Sequence, residues 1–267
     1  MLDVFIHEIN YQKSLIERLE AIYHPIHASE WLKPPVWDND IMKFRYEEQS
    51  HLLLMFLKGI RYLSLLNAAM TLFEKGHCQE MYILCRCMDE AFEDALLFTV
   101  PPGENGELSR IQQTALDEFY QEEFEDYFAA GPDLKNIKRH RTPREKIRKE
   151  IDSGAPEQIP ALKDTVTMIH KTFSGYVHGA YPHIMELYGG NPARYHIRGM
   201  RETPRVIEAK DQLTMNIYRG ILFGRLAAKC LGMGEHDEQL VLLRNEMEKN
   251  YPSVASLPDS YKEKEEA

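Results

Sequence analysis

Glycine and proline are spread unevenly along this chain of 267 residues, and that distribution limits the fold more than any motif does. The first 100 residues hold only Gly59, Gly76, Pro25, Pro34 and Pro35, whereas 175–204 is dense in both. Between these breakers, apolar residues recur at three- and four-residue steps, the period of a helix face. Residues 3–23 place Phe5, Ile9, Ile16, Leu19 and Tyr23 on one face, with a polar lapse at Gln12. The helix should stop before Pro25, because a residue preceding proline is driven out of the α region. The link 24–38, with Trp31, Trp37 and Pro34-Pro35, is expected to be extended, its tryptophans pinning it to the core.

From Asp38 or Asn39 as N-cap, 40–75 reads as one long helix with a bend at Gly59 and a stop at Gly76. A helix over 78–99 follows. Its apolar stripe runs through Met81, Leu84, Cys85, Met88, Ala91, Phe92 and Ala95, with Arg86, Glu90 and Glu93 on the solvated side. Another spans 107–130. Thr142-Pro143-Arg144-Glu145 reads as a helix start, with Thr at the N-cap and Glu in capping-box register. Residues 161–188 carry an apolar face of Val166, Ile169, Phe173, Val177, Ala180 and Ile184, which Pro182 should kink or end. Helices are expected again at 205–232 and 236–250. Strand-like alternation is almost absent, so the fold class is all-α: a helical bundle of about seven to eight helices. It occupies 1–250 as one domain with an irregular insert at 189–204, in which Arg194–Arg198 suits a short strand; 251–267 reads as a flexible tail.

The composition excludes several function classes. With 28% charged residues and a formal net charge of -10, the chain has a soluble globular make-up, and its acidity argues against coating nucleic acid wholesale. The longest apolar run, Leu52–Leu57, falls far short of the roughly 18 residues a spanning helix needs. Acids stand near the N-terminus, where a signal peptide is basic, so a cytoplasmic protein without membrane contact is expected. Cys78, Cys85, Cys87 and Cys230 show no C-x-x-C spacing, which predicts reduced thiols and no zinc site. No cofactor is implied: dinucleotide-binding, Walker and nucleophile-elbow motifs are all missing.

The densest polar feature is the stripe His170, Ser174, His178 and Tyr181, which falls within about an 80° arc at helical spacing. A histidine one turn from a hydroxyl can hold a tautomer and shuttle a proton, and Gly175 and Gly179 would admit a close neighbour. The structural alternative is a tight helix crossing. Arg86 and Glu90, four residues apart, form either a surface ion pair or, in a bundle, a pair converging on His178. Glu48-x-x-His51 and Glu74-x-x-His77 match the ligand pairs of di-metal carboxylate bundles, but 29 Glu and 11 His yield roughly one such pair by chance, so no metal site is assigned. The stretch 135–149 holds eight Lys/Arg against Glu145 alone. It is either a phosphate-binding run or the complement of the six acids in 117–126. A second basic segment, Arg194, Arg198, Arg201 and Arg205, lies in and beside the insert, where it could share a cleft with His178.

The Arg-x-x-x-Glu helix (Arg86, Glu90) followed by a Ser-x-x-x-His helix (Ser174, His178) resembles uncharacterised bacterial all-helical families loosely grouped with HEPN-like proteins. In topology the resemblance covers roughly residues 40–230. HEPN ribonucleases carry an Arg-x(4–6)-His motif and act as dimers; here Arg18 to His24 matches the spacing, and the helix bearing His178 offers Lys171 instead of the arginine. The resemblance implies a binding or regulatory protein; with it, Arg86, Glu90, Ser174 and His178 form the expected polar cleft as candidate catalytic residues, and the stripe and the basic insert supply His170, Tyr181, Arg194 and Arg198 as candidate ligand-binding residues. RNA or a small nucleotide-like anion is the partner it suggests, and a homodimer the assembly. The alternatives are a metal-independent ribonuclease using His178, a di-metal carboxylate enzyme, and a purely structural partner-binding bundle.

Overall fold

The computed structural model describes residues 2–28, 32–40, 42–101, 106–121, 141–154 and 171–255. Helices account for nearly all of its regular structure, as an all-α fold requires. The contacts group the chain into two compact units: Met1–Ser29, Lys58–Phe92 and Gln158–Ala267 in the first, Glu30–Leu57 and Glu93–Glu157 in the second.

In the first unit, α1 (Ile6–Tyr23) ends ahead of Pro25 as its sequence dictates, and a 3-10 turn, His24–Ala28, follows. Its buried face of Ile9, Leu15, Ile16, Leu19 and Tyr23 packs on two C-terminal helices, α8 (Arg205–Cys230) and α9 (Gly234–Asn250), which also pack on each other. The polar lapse in α1 has a partner there: fully buried Gln12 donates through Nε2 to Thr214 Oγ1 at 2.7 Å. Losing that bond would leave a buried amide donor short of its partner, at a cost of about 1–3 kcal/mol.

The chain between β1 (Val36–Asp38) and α2 (His51–Lys75) corrects the helix expected from residue 40. A hairpin stands there instead, with β1 paired antiparallel to β2 (Lys43–Arg45) and Met42 in the left-handed region at φ 53°. Helix α2 starts where Ser50 supplies a cap, its Oγ accepting from Leu53 N at 3.2 Å. Trp31 lies outside the described residues. Trp37 does not pin a link to the core; it is exposed and meets Phe44 edge-on at 5.0 Å.

Gly76 takes φ 78° and terminates α2, after which α3 (Cys78–Leu97) begins. From Lys58 onward α2 buries Tyr62, Leu66, Met70 and Phe73, and the first part of α3 buries Met81, Cys85, Met88 and Phe92, completing the core of the first unit. Among the described residues α2 is the one helix long and apolar enough to cross a membrane by length and composition; more than half of its most apolar stretch is buried inside the fold, as in a core helix.

In the second unit, α4 (Arg110–Tyr120) opens with a capping box between Ser109 and Gln112. Buried Gln112 also donates to the carbonyls of Leu97 and Val100 at 2.9 and 3.0 Å, satisfying the orphan end of α3 with the side chain that starts α4. Helix α5 (Arg144–Gly154) starts one residue later than the capping pattern predicts. Thr142 is not its cap: backbone N and Oγ1 of Thr142 both donate to Glu118, at 2.7 and 2.9 Å.

The helix expected over 161–188 lies outside the described residues as far as 170, which includes Val166, Ile169 and His170. Residues 171–177 are helical (α6), and Gly179 at φ 59° ends the run. Pro182 therefore does not kink a continuous helix; it occupies the first turn of a separate short one, α7 (Tyr181–Met185), where its missing N–H costs nothing. The apolar face does not persist either, because Val177 and Ile184 are exposed. In the insert, β3 (Tyr188–Gly189) pairs antiparallel with β4 (Arg194–Tyr195). The expected strand thus shrinks to its first two residues. Beyond α9, Pro252–Ala255 form a last helical turn, α10, with Val254 buried.

Candidate functional site

The first unit contains a groove of about 850 Å³ where α7, the β3–β4 hairpin and the start of α8 meet. Its charged lining is Glu186, Arg194, His196, Glu202, Arg205 and Glu208, and Tyr188, Pro192 and Met185 add apolar surface. That volume lies in the range of small-molecule sites, though the lining is more polar than most.

The hairpin is anchored from below. Met200 N donates to Gly76 O at 2.7 Å, tying the insert to the end of α2, and Gln79 at the start of α3 donates to the His183 carbonyl. His183 itself fits because residue 175 is glycine: a Cβ there would overlap the imidazole ring. The ring then lies edge-on to Tyr176 at 4.2 Å, with Nδ1 buried and without a hydrogen-bond partner.

Order at the groove floor comes from Arg205 and Tyr176. Tyr176 OH donates to Glu186 Oε2 at 2.8 Å, while Arg205 reaches Glu186 at 3.5 Å and donates to Glu208 at 2.7 Å. Burial, and then the Glu186 carboxylate, push the Tyr176 phenol above its ordinary pKa, so it stays a donor. For Arg205, burial works against the charge, but its bonds to Glu208 and Glu186 prevail and raise its pKa.

The rim is different. Tyr188 and Tyr195 face each other across the ladder, ring centroids 4.9 Å apart, and both are exposed. Arg194 is exposed and meets Glu202 at 3.6 Å, too long for a hydrogen bond. Arg198 is exposed with no hydrogen bond or ion pair among the described residues. His196 Nε2 lies 3.1 Å from the Gly189 carbonyl, which acts as acceptor, so the proton sits on Nε2 and Nδ1 carries the lone pair in the neutral ring.

Of the residues named from sequence, Arg194 and Arg205 line the groove, and Tyr181, Arg198, Arg201, Ser174, His178, Arg86 and Glu90 are not part of its lining. Tyr181 is 78% exposed on α7. His178 stands in the exposed turn after α6, its backbone N bonded to Ser174 O at 3.0 Å; Ser174 is half-buried. Arg86 and Glu90 form the expected i,i+4 pair, at 3.0 Å, and are half-buried. His170 lies outside the described residues. Arg18 of the Arg-x(4–6)-His spacing is held by both carboxylate oxygens of Glu246, at 2.8 and 2.7 Å. A second occurrence of that spacing joins Arg45, at the end of β2, to His51, the first residue of α2. The His51 ring stacks on Phe98 at 6.1 Å, and burial lowers its pKa. Neither Glu48-x-x-His51 nor Glu74-x-x-His77 belongs to a metal cluster: the described residues contain no group of three or more His, Cys, Asp or Glu placed to hold an ion.

The basic stretch 135–149 is described from residue 141 onward. Its Arg144 and Arg148 are engaged within the second unit, Arg148 donating to Glu93 at 2.8 Å and Arg144 pairing with Asp94. Glu93 is correspondingly buried, not on a solvated face. The charged groove residues that sequence reasoning missed are Glu186, His196, Glu202 and Glu208. The glycine- and proline-rich composition of 175–204 was a signal for the first three, and Glu208, on α8, had none. Comparison with known proteins yields no match, whether against family models, curated proteins or solved structures.

Proposed function

We propose that this protein binds single-stranded RNA, taking nucleotides at the mouth of the groove with bases on the Tyr188–Tyr195 surface and phosphates on Arg194 and Arg198. The carrying observation is the exposed tyrosine pair of the β3–β4 hairpin, with exposed Arg194 on β4 and exposed Arg198 three residues beyond that strand. Stacking on an aromatic ring suits any base, and guanidinium groups neutralise the backbone, which together make a sequence-tolerant single-strand surface. The resemblance to HEPN-like families through Arg86, Glu90, Ser174 and His178 supports the same class of partner. The net charge of -10 confines the attraction to this local patch. A cleavage role for His178 has less support, because its exposed turn is not part of the groove lining.

The test is fluorescence anisotropy with a labelled single-stranded RNA dodecamer, wild type beside the Tyr188→Ala/Tyr195→Ala double variant. Saturable binding that weakens about tenfold or more in the variant is expected, since each stacked base contributes roughly 1–3 kcal/mol. Equal affinity in the two proteins would remove the tyrosines from the site, and no binding would dismiss RNA as the partner.

A further inference from the structure

We infer that Glu202 is an internal competitor for the ligand phosphate, holding Arg194 in a contact that binding must exchange. This rests on the RNA-binding reading above. The three carboxylates of the groove are not equivalent. Glu186 is half-buried and accepts from Tyr176 while facing Arg205, so it belongs to the floor. Glu208 receives a full hydrogen bond from Arg205 at 2.7 Å. Glu202 is 79% exposed at its side chain, Arg194 is 66% exposed, and their 3.6 Å contact is Coulombic only. A charge-assisted bond from arginine to phosphate is about 2.7–2.9 Å long and often bidentate, so a phosphate at Arg194 would displace this carboxylate. Exposed ion pairs of this kind are weak, which sets the scale of the competition at no more than about fivefold in affinity. The negative charge of Glu202 stays at the rim after the exchange and repels neighbouring phosphates, limiting the surface to ligands whose bases contribute stacking as well as charge.

The experiment is the same RNA dodecamer titrated against wild type, Glu202→Gln, Arg194→Gln and the double variant, with thermal melts confirming that all four fold alike. Glu202→Gln is expected to tighten binding about two- to fivefold, and to do so less in the Arg194→Gln background, because the partner it releases is then missing. Unchanged or weaker binding of Glu202→Gln, with wild type still binding, would overturn this inference and leave the RNA reading standing. A gain of the same size with and without Arg194 would also overturn it, assigning Glu202 to general repulsion. Failure of every protein to bind would bring down the reading on which it rests.

Discussion

Two sets of arginine–carboxylate pairs, one in each unit, use the same chemistry to opposite ends. In the second unit Glu93 is 8% exposed, with Arg148 donating to it and Arg144 facing both it and Asp94. In the first, Arg194 and Glu202 stand in water at the rim of a groove, beyond hydrogen-bond distance. A buried pair must keep its partners, because separating them strands a charge out of water, whereas an exposed pair exchanges partners for no more than about 1 kcal/mol. The buried set therefore fastens α5 to α3, and the exposed one is available to a ligand. Burial, not residue type, separates fixed from exchangeable charge in these two sets.

The largest test of that contrast is Glu93→Ala. Removing one partner of a buried ion-paired set should cost about 3 kcal/mol, seen as a clear fall in the thermal midpoint. Glu202→Ala, by comparison, should change stability by no more than about 0.5 kcal/mol. Equal losses from the two substitutions would break the comparison. A smaller effect sharpens it through pH. His51, also in the second unit, has its pKa lowered by burial from 6.5, so folding favours the neutral ring. Its contribution to stability is complete above the unfolded value and is lost as pH falls through the depressed folded one, because the unfolded chain then binds the extra proton. The thermal midpoint of wild type should drop more steeply below pH 6.5 than that of His51→Gln, and identical profiles would contradict the burial of this ring.

Much of the fold was legible from local signals. The end of α1 before Pro25 and the stop at Gly76 follow from proline and glycine backbone chemistry, and the stripe of α3 and the extents of α8 and α9 from helical periodicity. The β1–β2 hairpin was not legible, because its strands are three residues long and its turn places Met42, not glycine, in the left-handed region. Glu93 was misplaced for a related reason. Helical spacing displays only partners three or four residues away, and Arg148 is 55 residues distant. The candidate site was partly legible. Arg194, Arg198 and Arg205 were named from the basic character of the insert and its flank, but the groove takes its carboxylates from Glu186 after α7, from Glu202 and from Glu208 on α8, a convergence that no linear spacing encodes.

The most direct test of the claim that rim charges are exchangeable is the salt dependence of RNA binding for wild type and Arg194→Gln between low and moderate salt. Each phosphate contact on a single strand adds about 0.7 to the slope of log affinity against log salt. A slope shallower by about that amount is expected in the variant, with weaker binding at low salt and convergence as salt rises. Parallel lines of equal affinity would show that Arg194 meets no phosphate, and the assignment of the groove mouth would be wrong.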